Sequence, residues 1–257
     1  MSVFGSYSNY YDLLYKDKDY PAEVDFIDLI FKEYGTGKIK TILDMGCGTG
    51  GHALLLAQRG YRITGIDMSA SMLSIAKEKA KKANISMDLF KGDIRDFNTN
   101  MNFDAIISMF AVIGYQIKND DLKKTVENAR KQLKNNGLFI FDVWFGPAVI
   151  AQKPGDRIKI IQNENERIIR LTRSALNIMK HTVDVNFDVM VIHEDKIKKH
   201  IEEIHKMRFF FPQEIIHYLE DSGFELLKIC PFLDLNAKVD ENNWNITVIA
   251  KAAGEIN

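Results

Sequence analysis

A glycine-rich segment at residues 43–51, LDMGCGTGG, is the part of the chain whose residue types and spacing point most directly to chemistry. Gly46, Gly48 and Gly51 satisfy the pattern G-x-G-x-x-G, which is typical of loops that bind dinucleotides. Glycine lets a ligand approach the backbone closely, and a helix that starts after the loop presents unpaired N–H groups to it. The segment therefore predicts a binding loop for a nucleotide-like ligand.

Three carboxylates follow strand-like runs and would face the same ligand. Asp67 comes about twenty residues after the loop, where an acid can hold the two hydroxyls of a ribose. Asp44 precedes the first glycine, and a carboxylate there suits a ligand with an ammonium and a sulfonium group better than a pyrophosphate. Asp93 is placed to accept a hydrogen bond from an adenine amino group. These acids favour an adenosyl ligand, with an NAD-dependent oxidoreductase as the alternative.

Short apolar runs that alternate with helical patterns must position these side chains. Strands are predicted at residues 41–45, 61–66, 85–90, 103–109, 138–143, 225–229 and 245–251. Strands alternating with helices imply right-handed crossovers, so we predict an α/β fold with a doubly wound, seven-stranded, mostly parallel sheet. Ligands of such sheets bind outside the carboxyl ends of the strands, and Trp144, directly after the fifth strand, is predicted to face the ligand.

Composition excludes several classes of protein. Lys and Arg (34) nearly balance Asp and Glu (35), whereas a protein that binds nucleic acid usually carries a positive surplus. The chain has no apolar run of membrane-spanning length and no signal-peptide pattern at its N-terminus, so we expect a cytoplasmic protein without a membrane partner. Two distant cysteines and six histidines without H-x-H or H-x-x-x-H spacing predict neither a disulfide framework nor a metal site.

Together these segments resemble the class I S-adenosylmethionine-dependent methyltransferases. The resemblance covers about residues 39–144 and rests on LDMGCGTG, ITGIDMS, GDIRDF, FDAIISMFAVIGY and LKNNGLFIFDVW, which occur in the family's order. It implies a Rossmann-like methyltransferase fold, with S-adenosylmethionine as the cofactor and S-adenosylhomocysteine as the product. A non-catalytic protein that binds the same cofactor is the second alternative.

The resemblance also implies roles for the matched residues. In that family the glycine loop cradles the methionine part of the cofactor, and the acid after the second strand takes both ribose hydroxyls. The acid after the third strand reaches the adenine amine, its neighbour offers a backbone N–H, and apolar side chains pack on the adenine or the ribose. Carried over by position, these residues are Gly46, Cys47 (a small spacer) and Gly48 for the loop, Asp67 for the ribose, Asp93 and Ile94 for the adenine edge, and Met68 and Met109 for the packing.

The N-terminal segment FGSYSNYYDLLYKDKDY resembles the start of a subgroup of small-molecule methyltransferases, which includes the N,N-dimethyltransferases of nucleotide-linked amino sugars. In that subgroup the segment folds over the cofactor, and a tyrosine hydroxyl meets the cofactor's carboxylate or the acceptor. Tyr11 is the first candidate here and Tyr20 the second. Tyr115 stands where the subgroup tends to carry histidine, and we expect it to accept a proton or orient the nucleophile. Tyr115 and Trp144 are the predicted acceptor-binding residues of a small polar molecule, with the amine of a nucleotide-linked amino sugar as the specific hypothesis.

The rest of the chain is predicted to complete one domain over residues 1–257. Residues 146–211 read as successive strands, and the strict alternation of polar and apolar residues at 182–189 is typical of a half-buried antiparallel strand. We expect an antiparallel insertion at 146–211 on the acceptor side, a cofactor-binding core at 39–145 and 212–257, and a helical lid at 1–38. Edge strands favour pairing with a partner, so a homodimer through the insertion is also expected.

Overall fold

A seven-stranded sheet organises the computed structural model, which describes residues 5, 7–162 and 166–254. Its strands are β1 (Thr41–Met45), β2 (Arg62–Asp67), β3 (Asp88–Lys91), β4 (Phe103–Ser108), β5 (Leu133–Trp144), β10 (Phe224–Pro231) and β11 (Asn245–Ala252). The strand order is β10-β11-β5-β4-β1-β2-β3, with β1 to β5 parallel to one another. β11 lies between β5 and β10 and runs antiparallel to both. The predicted α/β fold with a mostly parallel sheet is confirmed.

A second sheet contains the four strands between β5 and β10, and it is antiparallel throughout. These are β6 (Arg157–Gln162), β7 (Arg167–Asn177), β8 (Thr182–His193) and β9 (Lys196–Arg208), paired in chain order. The antiparallel layer that the alternating pattern predicts is therefore present.

Helices connect the strands and cover the first sheet. They are α1 (Ser8–Leu14), α2 (Tyr20–Tyr34), α3 (Gly51–Gln58), α4 (Ala70–Lys82), α5 (Asn119–Gln132), α6 (Gly146–Gln152) and α7 (Pro212–Asp221), with a one-turn 3₁₀ helix at Val112–Tyr115. Asp19 caps α2 by accepting a hydrogen bond from Ala22 N at 3.0 Å, and Ser69 caps α4 by accepting one from Met72 N at 3.3 Å. Within the described residues, none of the helices has the length and apolar character needed to cross a membrane.

The parallel strands β1, β2 and β4 are largely buried on both faces, which gives the sheet a core on each side, whereas the edge strand β3 is mostly exposed. Leu43 of β1 packs with Ile66 and Phe139 on one face, while Ile42 packs with Ile63 on the other. Parallel strands covered on both sides read as continuous apolar runs for this reason. The packing holds the ends of the strands in place, and those ends carry the residues of the candidate site.

Two predicted boundaries differ from the structure. Residues 146–152, at the start of the predicted insertion, form α6, because Pro147 has the fixed φ that suits the first turn of a helix. β5 begins at Leu133, earlier than the strand predicted at 138–143, because α5 already stops at Gln132. The segment Asn135-Asn136-Gly137 forms a bulge inside β5, where Phe103 pairs with Leu133 and Ala105 pairs with Leu138.

Candidate functional site

A cavity of about 760 Å³ lies at the carboxyl ends of β1, β2 and β4, the edge where open α/β sheets bind ligands. The second sheet and the N-terminal helices form its other walls. Its volume is within the range of roughly 300–1,000 Å³ that is usual for small-molecule sites. The predicted site residues that line it are Tyr11, Tyr20, Gly46, Cys47, Gly48, Asp67, Met68, Ile94, Met109, Tyr115 and Trp144. Asp44 and Asp93 are the two that do not.

The glycine loop is fixed to β2 and leaves room on the cavity side. The N–H groups of Gly46 and Cys47 both donate to the carbonyl oxygen of Ile66, at 2.8 and 3.0 Å. Gly46 and Gly48 have φ values of +84° and +53°, which disfavour other residues. A Cβ on Gly48 would meet nothing within 4 Å. Backbone at Gly48 is therefore open to close approach by a ligand.

Two backbone N–H groups orient the carboxylate of Asp67, which lines the cavity. Gly48 N donates to Oδ2 at 2.9 Å, and Ser69 N donates to Oδ1 at 2.7 Å. Burial raises the pKa of Asp67, while these two hydrogen bonds act in the opposite direction. Because a carboxylate has about four acceptor positions, two remain for a ligand. This geometry suits a pair of vicinal hydroxyls.

Asp44 lies beneath the glycine loop rather than on the cavity surface. Its side chain is buried, and Oδ2 has no hydrogen-bond partner among the described residues. Burial, and secondarily the nearby Asp67, raises the pKa of Asp44 to about 7. A buried acid of this kind is stabilised in its charged form by a cation close by. Asp44 does not line the cavity, and its expected role toward a ligand stays a prediction.

Asp93 is engaged by a neighbouring guanidinium. Arg95 Nε lies 2.9 and 3.0 Å from the two carboxylate oxygens of Asp93, and Arg95 Nη1 donates to Asp121 at 3.0 Å. The hydrogen bonds from Arg95 lower the pKa of Asp93. Arg95 thus engages both oxygens of Asp93, and the expected hydrogen bond from an adenine amine to Asp93 stays a prediction. The adjacent Ile94 lines the cavity.

The backbone that carries Tyr115 is held in an unusual conformation. Phe110 and Ala111 have φ values of +72° and +55°, and Ala111 N donates to both oxygens of the buried Asp142 carboxylate at 3.1 and 3.0 Å. Burial raises the pKa of Asp142 to about 6. Strained residues of this type cluster at functional sites, where the surrounding structure holds them. Here the strain turns the chain after β4 so that the 3₁₀ helix presents Tyr115 to the cavity.

Tyr115 meets a histidine that the sequence patterns did not single out. Its Oη lies 2.7 Å from Nδ1 of His205, a residue of β9 that also lines the cavity. Trp144 contacts Trp244 edge to face, with ring centroids 5.6 Å apart. Asn245, at the start of β11, completes this wall. The second sheet thus contributes directly to the site.

Helix α1 is attached to the glycine loop by polar contacts. Asp12 accepts a hydrogen bond from Thr49 Oγ1 at 2.7 Å and pairs with Lys79 Nζ at 2.6 Å. Tyr11, on the same helix, is buried, and burial raises its pKa well above the usual range. Tyr20 contacts His52 edge to face at 5.0 Å. Both tyrosines therefore reach the cavity from the N-terminal side, as predicted.

One group with metal-binding residue types lies on the second sheet. Asp188, His200 and Glu202 place possible ligand atoms within 4.8 Å of one another on the β8–β9 hairpin. His200 Nε2 lies 2.7 Å from Asp188 Oδ1, as in an ordinary surface ion pair. Strand register brings these residues together, so their spacing in the sequence does not reveal them. The expectation that the chain has no metal site stays a prediction.

Comparison with known proteins agrees with this geometry. Residues 42–137 match a family described as a methyltransferase domain. The chain is 27% identical over 209 residues to dTDP-3-amino-3,6-dideoxy-alpha-D-glucopyranose N,N-dimethyltransferase of Streptomyces fradiae. The aligned residues cover 80% of this chain and 78% of the relative. The chain is 26% identical over 211 residues to dTDP-3-amino-3,4,6-trideoxy-alpha-D-glucopyranose N,N-dimethyltransferase of Streptomyces venezuelae, covering 81% and 85%.

A solved structure extends the likeness over nearly the whole chain. The S-adenosylmethionine-dependent methyltransferase from Clostridium acetobutylicum ATCC 824 superimposes with a TM-score of 0.81 at 26% identity, covering 96% of this chain and 97% of the other. The cavity fits the same cofactor. Asp67 retains acceptor positions for a ribose, Oδ2 of the buried Asp44 has no hydrogen-bond partner among the described residues, and Gly48 leaves open space.

Proposed function

We propose that this chain, which is an S-adenosylmethionine-dependent methyltransferase with the class I fold, methylates the amine of a nucleotide-linked amino sugar. Two of the similar relatives carry the name of an N,N-dimethyltransferase of a dTDP-linked amino sugar. One observation carries the proposal: residues of the glycine loop, Tyr115 and residues of the second sheet all line the same cavity. It offers an enclosed space for a small polar acceptor beside the cofactor.

The cofactor would occupy the β1–β2 side of the cavity. Gly46 and Gly48, with Cys47 as the small residue between them, would hold its methionine part, and Asp67 would accept from both ribose hydroxyls. The cofactor supplies an electrophilic methyl group on a sulfonium, which leaves as a neutral thioether. Burial raises the pKa of Asp44 beneath the loop to about 7, and a ligand that carries cationic groups would favour the charged form of this carboxyl.

Adenine would lie beyond the ribose, toward the ends of β2 and β3. The backbone of Ile94 would meet the adenine edge, and Met68 and Met109 would pack against the ring or the ribose. Met68 is 63% exposed, so a ligand that covers it would bury apolar surface. Asp93 would act by holding Arg95 and so fixing the segment that carries Ile94.

The acceptor would occupy the remaining side, between Tyr115 and Trp144. Tyr11, and secondarily Tyr20, would close the cavity over the cofactor. Holding an amine in line with a methyl group can supply up to roughly 7–11 kcal/mol of the barrier through orientation alone. Tyr115, which lines the cavity, would orient the amine and accept a proton from it.

The test is turnover with a defined pair of acceptors. The protein is incubated with S-adenosylmethionine and dTDP-3-amino-3,6-dideoxyglucose, and products are identified by mass spectrometry. We expect addition of one or two methyl groups to the amine. The control acceptor is the same sugar nucleotide with a hydroxyl in place of the amine, which should gain none. Methyl transfer to the control, or to RNA or protein instead of the sugar, would overturn the proposal.

A calorimetric comparison tests the cofactor side alone. S-adenosylhomocysteine should bind and raise the melting temperature, while NAD should do neither. Tight binding of NAD would instead favour the oxidoreductase alternative.

A further inference from the structure

We propose that Tyr115, His205 and Glu203 form a proton relay that removes a proton from the acceptor's ammonium group, an inference that rests on the proposed amine acceptor. The contacts that join these three side chains do not involve the glycine loop. The relay would connect the acceptor side of the cavity to the second sheet, and it gives that sheet a chemical role beyond shaping the wall.

The three groups lie in a row. Tyr115 Oη is 2.7 Å from His205 Nδ1, a hydrogen-bond distance. On the other side of the imidazole, Nε2 lies 3.3 Å from Oε2 of Glu203, within the range of an ion pair. The second oxygen of Glu203 accepts a hydrogen bond from Gly5 N at 3.1 Å. Because His205 and Glu203 are two residues apart on β9, their side chains point to the same face of the strand.

The imidazole is confined on its faces as well as at its two nitrogens. His205 is 3% exposed and Glu203 is 8% exposed. The ring of Phe187 packs on His205 with centroids 4.8 Å apart, and the ring of Tyr7 lies at 6.0 Å. These contacts hold the imidazole in one orientation, with Nδ1 toward the tyrosine and Nε2 toward the carboxylate. A fixed orientation is what a positioned acid–base group requires.

The charges around the imidazole favour one tautomer. The carboxylate of Glu203 lies 3.3 Å from Nε2, a charge contact outside hydrogen-bond geometry, and it favours a hydrogen on that nitrogen. Nδ1 is then the acceptor, and the hydroxyl of Tyr115 donates to it. Tyr115 also lines the cavity, so its Oη is the atom of the relay that would accept an N–H of the substrate.

The proton step follows from this arrangement. An aliphatic amine enters as an ammonium ion at neutral pH, and its nitrogen has no lone pair with which to attack. The ammonium gives one proton to Tyr115 Oη, and Tyr115 gives its own hydroxyl proton to His205 Nδ1. The products are a neutral amine, an unchanged tyrosine and an imidazolium beside Glu203. After the product leaves, the two transfers run in reverse, and the proton passes from His205 Nδ1 through Tyr115 Oη to water in the cavity.

The two transfers must occur together. Burial raises the pKa of Tyr115 well above its usual range, so a phenolate would be an expensive intermediate. Concerted transfer avoids it, because the hydroxyl oxygen gains one proton as it loses another. The negative charge of Glu203 offsets the positive charge that forms on the imidazole. His205 and Glu203 are thus positioning residues that act through Tyr115.

The first test needs no acceptor. Nitrogen-15 NMR of the histidine side chains, with the His205 signals assigned by comparison with His205→Asn, should show a neutral ring protonated on Nε2. The Nδ1 resonance should shift in Tyr115→Phe, which removes the donor. A ring protonated on Nδ1 would overturn the relay, because Tyr115 could not then pass on its proton.

The second test separates proton uptake from hydrogen bonding. In His205→Asn the amide oxygen can replace Nδ1 as an acceptor, but it cannot take up a proton. With dTDP-3-amino-3,6-dideoxyglucose as the probe, we expect kcat to fall by about 100-fold, the lower end of general acid–base effects. KM for the sugar and Kd for S-adenosylhomocysteine should change by less than about threefold. The matched control is His217→Asn, which makes the same change at an exposed histidine of α7.

The outcomes are distinct. Wild-type kcat in His205→Asn would overturn the relay while leaving the proposed function intact. Added imidazole should restore part of the activity of His205→Gly, and a merely structural loss would not respond to it. If the wild-type protein forms no product from the sugar, the amine-acceptor proposal fails, and the NMR measurement still decides whether the proton arrangement exists.

Discussion

The exchange of Asp67 for asparagine tests the cofactor side of the site. The change keeps the size of the side chain and removes its charge. Asp67 now accepts hydrogen bonds from Gly48 N at 2.9 Å and from Ser69 N at 2.7 Å, one on each oxygen. An asparagine oxygen can keep one of these bonds, but its NH₂ group would face the other N–H. The variant therefore loses one loop contact and one of the two acceptor oxygens offered to a ribose.

The expected loss of affinity follows from the bonds removed. A hydrogen bond to a charged group contributes about 1.5–3 kcal/mol, and about 1.4 kcal/mol corresponds to a tenfold change in Kd. Loss of one such bond to a ribose hydroxyl predicts a Kd for S-adenosylhomocysteine that is about 10- to 100-fold higher. Asp67→Ala, which removes both oxygens, should weaken binding by at least about tenfold and lower the melting temperature further.

Calorimetry with two ligands distinguishes a ribose contact from a distorted loop. S-adenosylhomocysteine lacking its 2′-hydroxyl should bind wild type more weakly than the parent ligand, and the difference should shrink in Asp67→Asn. The control is Asp88→Asn, which makes the same charge change at an exposed position on β3 and should leave the affinity unchanged. Wild-type affinity in Asp67→Asn would remove Asp67 from the site.

Four further outcomes are expected. Gly46→Ala places a Cβ 2.5 Å from Val112 Cγ1 at a φ of +84°, so S-adenosylhomocysteine should bind at least about tenfold more weakly by calorimetry. Burial raises the pKa of Asp44 to about 7, whereas the unfolded chain releases that proton near about pH 4. The contribution of Asp44 to stability is thus full below about pH 4 and lost as pH rises through about 7. In urea unfolding, Asp44→Asn should therefore gain stability relative to wild type between about pH 5 and about pH 8. The same difference between variant and wild type at both pH values would contradict this. Tyr11→Phe should weaken cofactor binding or lower turnover by about 2- to 10-fold, the effect of one hydrogen bond, and normal values of both would exclude a role for its hydroxyl. Light scattering at micromolar concentration should detect a dimer formed through the second sheet, and a strictly monomeric protein would refute it.

Local patterns were sufficient for the parallel part of the fold and for the glycine loop. β1 was predicted with the bounds that the structure gives, because a strand buried on both faces leaves a continuous apolar run. Gly46 and Gly48 were informative because positive φ and close approach restrict the residue type. Asp67 follows directly, since its place at the end of β2 needs no knowledge of distant parts of the chain.

Contacts between distant segments explain what the sequence did not reveal. Tyr115 and His205 meet only through the packing of β9 against the 3₁₀ helix, and neither spacing nor periodicity records that packing. Asp142 supports the strained turn before Tyr115, but a carboxylate within an apolar strand has no local signature. Arg95 could have been considered, because an arginine two residues after Asp93 is a natural ion-pair partner.

The position of β11 has a consequence for synthesis on the ribosome. β11 separates β5 from β10 in the sheet, although one hundred residues lie between Leu133–Trp144 and Asn245–Ala252 along the chain. While the ribosome translates the second sheet, β11 has not yet been made, so one edge of β5 is unpaired. Exposed strand edges of nascent chains are prone to wrong pairings. The cofactor loop, which lies between β1 and α3, is made early, but the sheet that supports the cavity closes only when β11 emerges. Release of the nascent chain before that point would leave a protein with every residue of the glycine loop and no completed sheet beneath it.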